Sequence, residues 1–327
     1  MDLVSPSNLL GTVIDTIRLI TLSLQNAFLT IIMHYSRISQ SPDKMYSAAS
    51  AVLLNELLKG FISVMIALRN IDADIASSPT PAVYSDRDTR INPSRYSPLP
   101  SMLHSSRLRT LLKSIFSPDC YKLAVPAILY VIQNNLQYVA ASNLDVATFQ
   151  VTYQMKILTT AFASVFILGR RLSKAKWLAL ILLAVGVGIV QIQTTAAPKV
   201  ELKLEDLAEK PVMNERVMQP LKGFMAVTAA CVTSGIAGVY FEFILKGGGG
   251  GPAPDLWIRN TQLSLFSVVP AIIPIIFFPS GPEGAKWLEK VMASFSNFNG
   301  WAIGTILTQT FGGLITAVVI RYSDNIM

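Results

Sequence analysis

The segment ATFQVTYQMKILTTAFASVFIL, residues 147–168, decides the fold of this 327-residue chain. A helix needs about 20 mostly apolar residues to cross the hydrocarbon core of a bilayer. This segment is long enough, yet it places Gln154 and Lys156 at membrane depth. Hydrocarbon penalises such side chains, so they should face a bundle interior or an aqueous cavity. The segment therefore predicts a membrane helix with a polar inner face.

Seven further apolar runs flank this one. The chain is 51% hydrophobic and only 14% charged, whereas about 25% of the residues in a soluble domain are charged. We therefore predict an all-α, polytopic membrane helical bundle with eight spans. The other seven predicted spans are 19–35, 46–68, 121–141, 177–193, 223–245, 256–278 and 301–320.

The net charge of +7 is explained by topology. The Lys and Arg residues lie mostly in loops, and the sequence shows no pattern of a nucleic-acid-binding fold, so no nucleic-acid partner is predicted. The second, fourth and sixth loops hold fourteen Lys and Arg residues, whereas the loops on the opposite side hold nine. By the positive-inside rule this excess places the N-terminus in the cytosol.

The spans divide the chain into five parts. Residues 70–118 are rich in Ser, Pro and Arg, so we predict a disordered cytosolic insertion there. The parts are 1–69 (two helices), 70–118 (insertion), 119–195 (helices three to five), 196–222 (a lumenal loop) and 223–327 (helices six to eight).

Catalytic chemistry is not indicated. The two cysteines, Cys120 and Cys231, lie far apart, and neither histidine, His34 or His104, is placed to activate a nucleophile. No spacing typical of metal ligands occurs. The sequence therefore predicts no enzyme activity, no metal and no cofactor.

Ionisable residues inside or at the edges of the spans require an explanation, since each costs about 2.5–3.5 kcal/mol at a helix centre. Glu56 and Lys59 share a helix face and can form either a structural pair or a gate. Lys156 shares a face with Tyr153, Phe149 and hydroxyl and amide groups, which suits an anionic ligand with a planar ring, and phosphate is the natural anion for a lysine. The alternative is that Lys156 pairs across the bundle with Glu56 or Glu242.

Two further features stay open from the residues alone. Arg321, which closes the last span, is either an interfacial anchor or a site residue. The polar stripe of Tyr130, Gln133, Asn134 and Gln137 can read a base edge or bridge helices.

Long ordered matches resemble the nucleotide-sugar transporter family. They cover most of the chain outside the insertion and look most similar to transporters of UDP-galactose and UDP-N-acetylglucosamine. The segments that carry the resemblance are QNNLQY at 133–138, NLDVATFQVTYQMKILTT at 143–160, GVYFE at 238–242, WIRNTQL at 257–263 and residues 312–325.

The resemblance implies a drug/metabolite-transporter fold, in which two inverted repeats of five helices hold the ligand between them. It implies import of a UDP-sugar, such as UDP-galactose, into the Golgi lumen, with the endoplasmic reticulum as the alternative membrane. It also implies exchange for UMP by alternating access, without ATP or metal, and association with itself or with a glycosyltransferase.

The resemblance also suggests roles for individual residues. Lys156 and Arg321 would lie near the phosphates, and Glu56 and Lys59 would form a gating element. The remaining implied ligand contacts are Tyr130, Gln133, Asn134, Phe149, Tyr153, Asn260 and Thr316.

One departure from the family pattern concerns the last residues. Relatives continue into two more helices where this sequence reads Asp324-Asn325-Ile326-Met327. Eight of the expected ten helices are thus present, and a truncated, non-transporting scaffold or partner of a transporter or glycosyltransferase is the alternative function.

Overall fold

The computed structural model describes residues 6–40, 44–77, 101–196, 219–246, 255–279 and 284–322. Every regular element in these ranges is helical. A 3₁₀ turn, Cys120–Leu123, precedes α4. The α-helices are α1 (Pro6–Ile38), α2 (Ala48–Ser77), α3 (Ser101–Ile115), α4 (Ala124–Ala141), α5 (Val146–Tyr153), α6 (Met155–Leu168), α7 (Lys174–Ala196), α8 (Pro220–Leu245), α9 (Leu256–Phe277), α10 (Trp287–Ala293) and α11 (Gly300–Tyr322).

Six helical stretches in the described ranges are long and apolar enough to span a membrane. A seventh results if α3 and α4, which meet at a bend of 63°, count as one span. The all-helical membrane bundle is thereby confirmed, but the predicted count of eight is not. Helix α1 covers the first predicted run without being among the six. Its middle carries the amides of Gln25 and Asn26, which lower its hydropathy.

Local sequence signals place several helix ends. Asp145 caps α5, since its carboxylate accepts a hydrogen bond from the Thr148 amide at 2.9 Å. Asp255 caps α9 in the same way. Gly169 ends α6 in the left-handed conformation, with φ of 64°, which glycine adopts without steric cost. The predicted span at 147–168 consists of two consecutive helices, α5 and α6, which are separated by a break at Gln154.

Helix pairing follows a repeated scheme. Helix α2 packs mainly on α9, α4 on α8, and α1 on α11. If α1 is exchanged with α8, α2 with α9 and α4 with α11, the α4–α8 pair becomes the α1–α11 pair and the α2–α9 pair maps onto itself. That relation is the one expected of two inverted repeats. The polar cavities described below lie between the two groups of helices.

The outer surface is apolar, as lipid contact requires. Helix α7 shows this most clearly, because Leu178, Ile181, Leu182, Val185 and Ile192 are all exposed. Its packing is one-sided, with Leu180 and Val187 buried.

Part of the interval 70–118 differs from the prediction of a disordered insertion. Helix α2 continues through residue 77, and 101–115 form α3. Leu111 and Ile115 of α3 are buried against Ala67 of α2. The sequence suggested no order here because short helices of this kind depend on tertiary burial. Residues 78–100, and most of the predicted lumenal loop at 196–222, lie outside the described residues.

Candidate functional site

A polar cavity of about 140 Å³ lies inside the bundle, and we call it the central cavity. Side chains from α1, α2, α4, α5, α6, α8, α9 and α11 line it. Its polar lining residues are Gln25, Asn26, Asn55, Glu56, Lys59, Tyr130, Gln133, Asn134, Gln137, Tyr153, Lys156, Thr160, Ser234, Asn260, Gln309 and Thr316. Nine of the eleven residues predicted from the sequence therefore meet in one place, and Asn55, the neighbour of Glu56, lines the same cavity.

A second space of about 270 Å³ lies between α1 and the α5–α6 segment, and we call it the side cavity. Phe149, Gln150 and Gln154 contribute to it from one side, and Ser23 and Thr30 from α1. It shares five wall residues with the central cavity: Asn26, Leu29, Gln137, Tyr153 and Lys156. Ligand sites usually measure about 300–1,000 Å³, so the central cavity alone is small for a ligand with two rings, whereas the two spaces together reach that range.

Lys156 lies on this shared wall, in the first turn of α6. Its ammonium nitrogen is 5.7 Å from the centre of the Tyr153 ring, within the range of a cation–π contact. Among the described residues it forms no ion pair. The alternative of pairing with Glu56 or Glu242 is not what the structure shows, because both carboxylates bind other cations.

Tyr153 is held from two sides. Its hydroxyl accepts hydrogen bonds from the side-chain amides of Gln133, at 3.2 Å, and Gln137, at 2.5 Å. Its ring stacks on Phe149 with the ring centres 5.6 Å apart. The two glutamine side chains of α4 thus hold the ring of Tyr153 beside the ammonium group of Lys156.

Glu56 and Lys59 form a buried ion pair, with 2.6 Å between Lys59 Nζ and Glu56 Oε2. Asn55 donates to the other carboxylate oxygen at 3.2 Å and accepts from Thr310 of α11 at 2.9 Å. Gln309 of α11 donates to Asn134 of α4 at 3.1 Å. This polar network joins α2 and α4 to α11, across the boundary between the two helix groups.

Four buried side-chain amide atoms of central-cavity residues have no hydrogen-bond partner among the described residues: Asn260 Nδ2, Gln25 Oε1, Gln133 Oε1 and Gln309 Oε1. Burying such atoms unpaired costs about 1–3 kcal/mol each. They therefore provide one donor and three acceptors for a polar ligand or water. Thr316 lies in the same lining, with its hydroxyl donating to the Gly312 carbonyl of its own helix at 2.8 Å.

Two predicted site residues lie elsewhere. Phe149 lines the side cavity rather than the central one. Arg321 lines neither cavity, and its guanidinium donates to the carbonyl of Leu245, the last residue of α8. The neighbouring Ile320 does line the central cavity.

Gln25 and Asn26 on α1 were not predicted from the sequence. Gln25 donates to the Thr308 carbonyl of α11 at 3.0 Å. It packs so closely on α11 that a Cβ at Gly312 would lie 2.0 Å from its amide nitrogen. The available signal was a pair of adjacent amides in the middle of an apolar run.

Buried contacts of Arg37 link helix ends at one end of the bundle. Arg37 donates to the Ser142 hydroxyl at 3.0 Å and to the Tyr46 carbonyl at 2.9 Å, which joins the end of α1 to the end of α4. The central cavity instead extends towards the opposite end, where Asn260 lies near the start of α9 and Ile320 near the end of α11.

An apolar helical bundle that encloses a net-cationic, amide-rich cavity between two similar helix groups defines a membrane carrier of polar solutes. A sequence model of the nucleotide-sugar transporter family matches residues 11–80 and 101–327. The chain belongs to this family.

Individual relatives give the same result. The UDP-galactose transporter of Schizosaccharomyces pombe is 38% identical over 97% of this chain and 76% of its own length. The mouse UDP-galactose translocator is 37% identical over 95% of this chain and 66% of its own length. A Caenorhabditis elegans UDP-galactose/UDP-N-acetylglucosamine transporter is 37% identical over 94% of this chain and 69% of its own length. The chain thus spans slightly less than two thirds of the mouse protein.

Proposed function

We propose that this protein carries UDP-galactose, or a related UDP-sugar, into the Golgi lumen in exchange for UMP by alternating access. The observation that carries the proposal is Lys156, a cation at membrane depth whose ammonium group faces an aromatic ring and no described carboxylate. The relatives, which are transporters of UDP-galactose or of UDP-galactose and UDP-N-acetylglucosamine, supply the substrate class.

The charge of the lining favours an anionic ligand. The charged residues of the central cavity are Glu56, Lys59 and Lys156, which together leave one positive charge. A pyrophosphate or phosphate monoester carries more negative charge than this. Arg321, adjacent to the lining residue Ile320, would supply the second positive charge if its guanidinium left the Leu245 carbonyl.

The neighbouring groups suit the uracil and ribose. The stacked rings of Tyr153 and Phe149 offer a face to a planar base. The unpaired amide atoms of Gln133, Gln309 and Asn260 offer hydrogen bonds to a base edge or to sugar hydroxyls. Tyr130, Asn134 and Thr316 complete this polar lining.

The arrangement of the two bundle ends suits alternating access. The Arg37 contacts would keep one end closed, while the cavity extends towards the other end, which would face the cytosol by the positive-inside rule. The network of Glu56, Lys59, Asn55 and Thr310 crosses between the helix groups, so it would rearrange when they rock. Exchange is favoured if an empty carrier, in which the Lys156 charge has no counter-ion, is costly to reorient.

A thermal-shift titration of the detergent-solubilised chain with UMP, CMP, GMP, UDP-galactose and UDP-N-acetylglucosamine tests the site. We expect stabilisation by UMP and by at least one UDP-sugar, but not by CMP or GMP. Counterflow in proteoliposomes preloaded with UMP then tests exchange. Binding without counterflow would refute transport by this chain, and a monodisperse protein that responds to none of the ligands would refute the nucleotide site.

A further inference from the structure

Helix α3 has three distinct faces in its described part, residues 107–115. Leu111 and Ile115, one turn apart, pack on Ala67 of α2 and on Trp257 and Ile258 of α9. Leu108 and Leu112, also one turn apart, are 50% and 45% exposed, and Phe116 continues their stripe at 64%. Arg109 and Lys113 form a third, exposed stripe directly beside the apolar one.

Contacts with α9 and the bend before α4 fix the direction of α3 relative to the spanning helices. Helix α3 meets the spanning helix α4 at a bend of 63°, so it runs away from the membrane normal at the end of that span. Gln262 of α9 donates to the carbonyls of Ser114, at 3.2 Å, and Ile115, at 2.7 Å. Arg259 forms an ion pair with Asp119 at the bend. The orientation of the exposed stripes is therefore set by α9.

An apolar stripe with a basic stripe beside it is the arrangement of helices that lie in a bilayer interface. The apolar side chains enter the acyl region, while basic groups contact phosphate headgroups. Arg109 and Lys113 have no ion-pair partner within the described ranges, and Tyr121, an aromatic residue suited to the interface, is 65% exposed at the bend. The positive charges of Arg109 and Lys113 therefore favour a surface of anionic lipids over one of uncharged lipids.

We propose that α3 is an interfacial helix whose Arg109–Lys113 stripe binds anionic phospholipid headgroups of the membrane in which the protein resides. This contact anchors the α3–α4 bend and the clamped end of α9 to the bilayer. The contact lies outside both cavities and does not depend on the identity of the transported solute.

The first test is thermal unfolding of the purified chain in mixed micelles, with phosphatidylserine replacing phosphatidylcholine at constant total lipid. We expect phosphatidylserine to raise the Tm, and added salt to weaken the effect. Each basic residue near an anionic surface contributes a roughly fivefold factor in binding. The half-effect concentration of phosphatidylserine should therefore rise on the order of thirtyfold in R109Q/K113Q.

The matched control is K174Q/K176Q, which removes two exposed lysines from the start of α7, a helix long and apolar enough to span the membrane rather than lie along it. This control should keep the wild-type response. An equal response in R109Q/K113Q, or no response of the wild type, would overturn the proposal.

A second measurement does not depend on charge. A bimane label on Leu112→Cys, in a Cys120→Ser/Cys231→Ala background, should be quenched by brominated lipids and protected from iodide. Strong quenching by iodide alone would place the stripe in water, and protection from both quenchers would indicate a protein partner. Either result contradicts the interfacial assignment.

Discussion

The ammonium group of Lys59 lies 2.6 Å from the carboxylate of Glu56, one turn earlier on α2, and both side chains are almost fully buried. The pair is neutral as a unit, and therefore the net positive charge of the central cavity comes from Lys156. The variants below separate these two roles.

Removal of one partner of the Glu56–Lys59 pair should destabilise the protein. Glu56→Gln leaves a buried ammonium without its counter-ion, which costs about 3 kcal/mol or more. The double variant Glu56→Gln/Lys59→Met removes both charges and keeps an aliphatic stem beside Gly313, so it should recover most of the lost stability. Thermal unfolding of the ligand-free protein measures both. A double variant as unstable as the single one would show that the pair is not the cause.

Loss of the Lys156 charge should weaken nucleotide binding and leave the fold intact. Hydrogen bonds to charged groups contribute about 1.5–3 kcal/mol, so Lys156→Ala should lower the affinity for UMP roughly 10- to 150-fold. The ligand-free Tm should change little, since this lysine has no described ion-pair partner. Lys176→Ala, at an exposed position, is the control. Unchanged UMP affinity in Lys156→Ala would exclude Lys156 from the site.

Arg321 is tested by comparing two substitutions. If it moves from the Leu245 carbonyl to the ligand phosphate, Arg321→Lys should retain UMP binding because it keeps the charge. Arg321→Gln should lose roughly tenfold in affinity. If Arg321 only joins α11 to the end of α8, both variants will lower the Tm and neither will change UMP affinity. Isothermal titration with UMP and thermal unfolding distinguish the two outcomes.

Close packing of α6 on α8 depends on Gly235. A Cβ at this position would lie 2.8 Å from the backbone of Thr159 and Thr160, so Gly235→Ala should force the helices apart and cost about 1–3 kcal/mol. Gly188 of α7 is the matched control, since a Cβ there would meet nothing within 4 Å. Gly188→Ala should be neutral or stabilising by up to about 1 kcal/mol. Equal Tm shifts in the two variants would contradict this packing.

The contact between Asp119 and Arg259 predicts a dependence of stability on pH. A hydrogen bond from the Arg259 guanidinium lowers the pKa of Asp119 below its usual value of 3.8. The stabilisation is therefore complete above about pH 4 and is lost as the pH falls through the lowered pKa of the folded state. Asp119→Asn should reduce the Tm at pH 7, and its difference from the wild type should shrink towards pH 3. A difference that is constant with pH would rule out ionisation as the cause.

The sequence predicted much of the candidate site because membrane burial makes polar residues conspicuous. Tyr130, Gln133, Asn134, Tyr153 and Lys156 all line the central cavity, as hydrocarbon would penalise them on the outer surface. Asn260, which also lines it, was implied only by the family resemblance. The spacing of Glu56 and Lys59 likewise predicted contact, since residues three apart share a helix face.

Other features could not be read from the sequence. Helix α3 lies in a segment rich in Ser, Pro and Arg, and its order depends on burial of Leu111 and on the Gln262 contacts from a helix about 150 residues away. Arg321 follows the last apolar run, but only the position of α8 decides that its guanidinium reaches the Leu245 carbonyl. In both cases the deciding partner is distant in the chain.

The sequence by itself determined that this chain is a membrane helical bundle of the nucleotide-sugar transporter family with a cation, Lys156, on an inward face. Both properties follow from the local cost of polar groups in hydrocarbon and from ordered motifs. Only the tertiary structure decided that Arg170 reaches Glu242, that Lys156 has no described counter-ion, and that Tyr153 stands between two cavities. Charge pairing across helices depends on their relative positions, which local patterns do not encode.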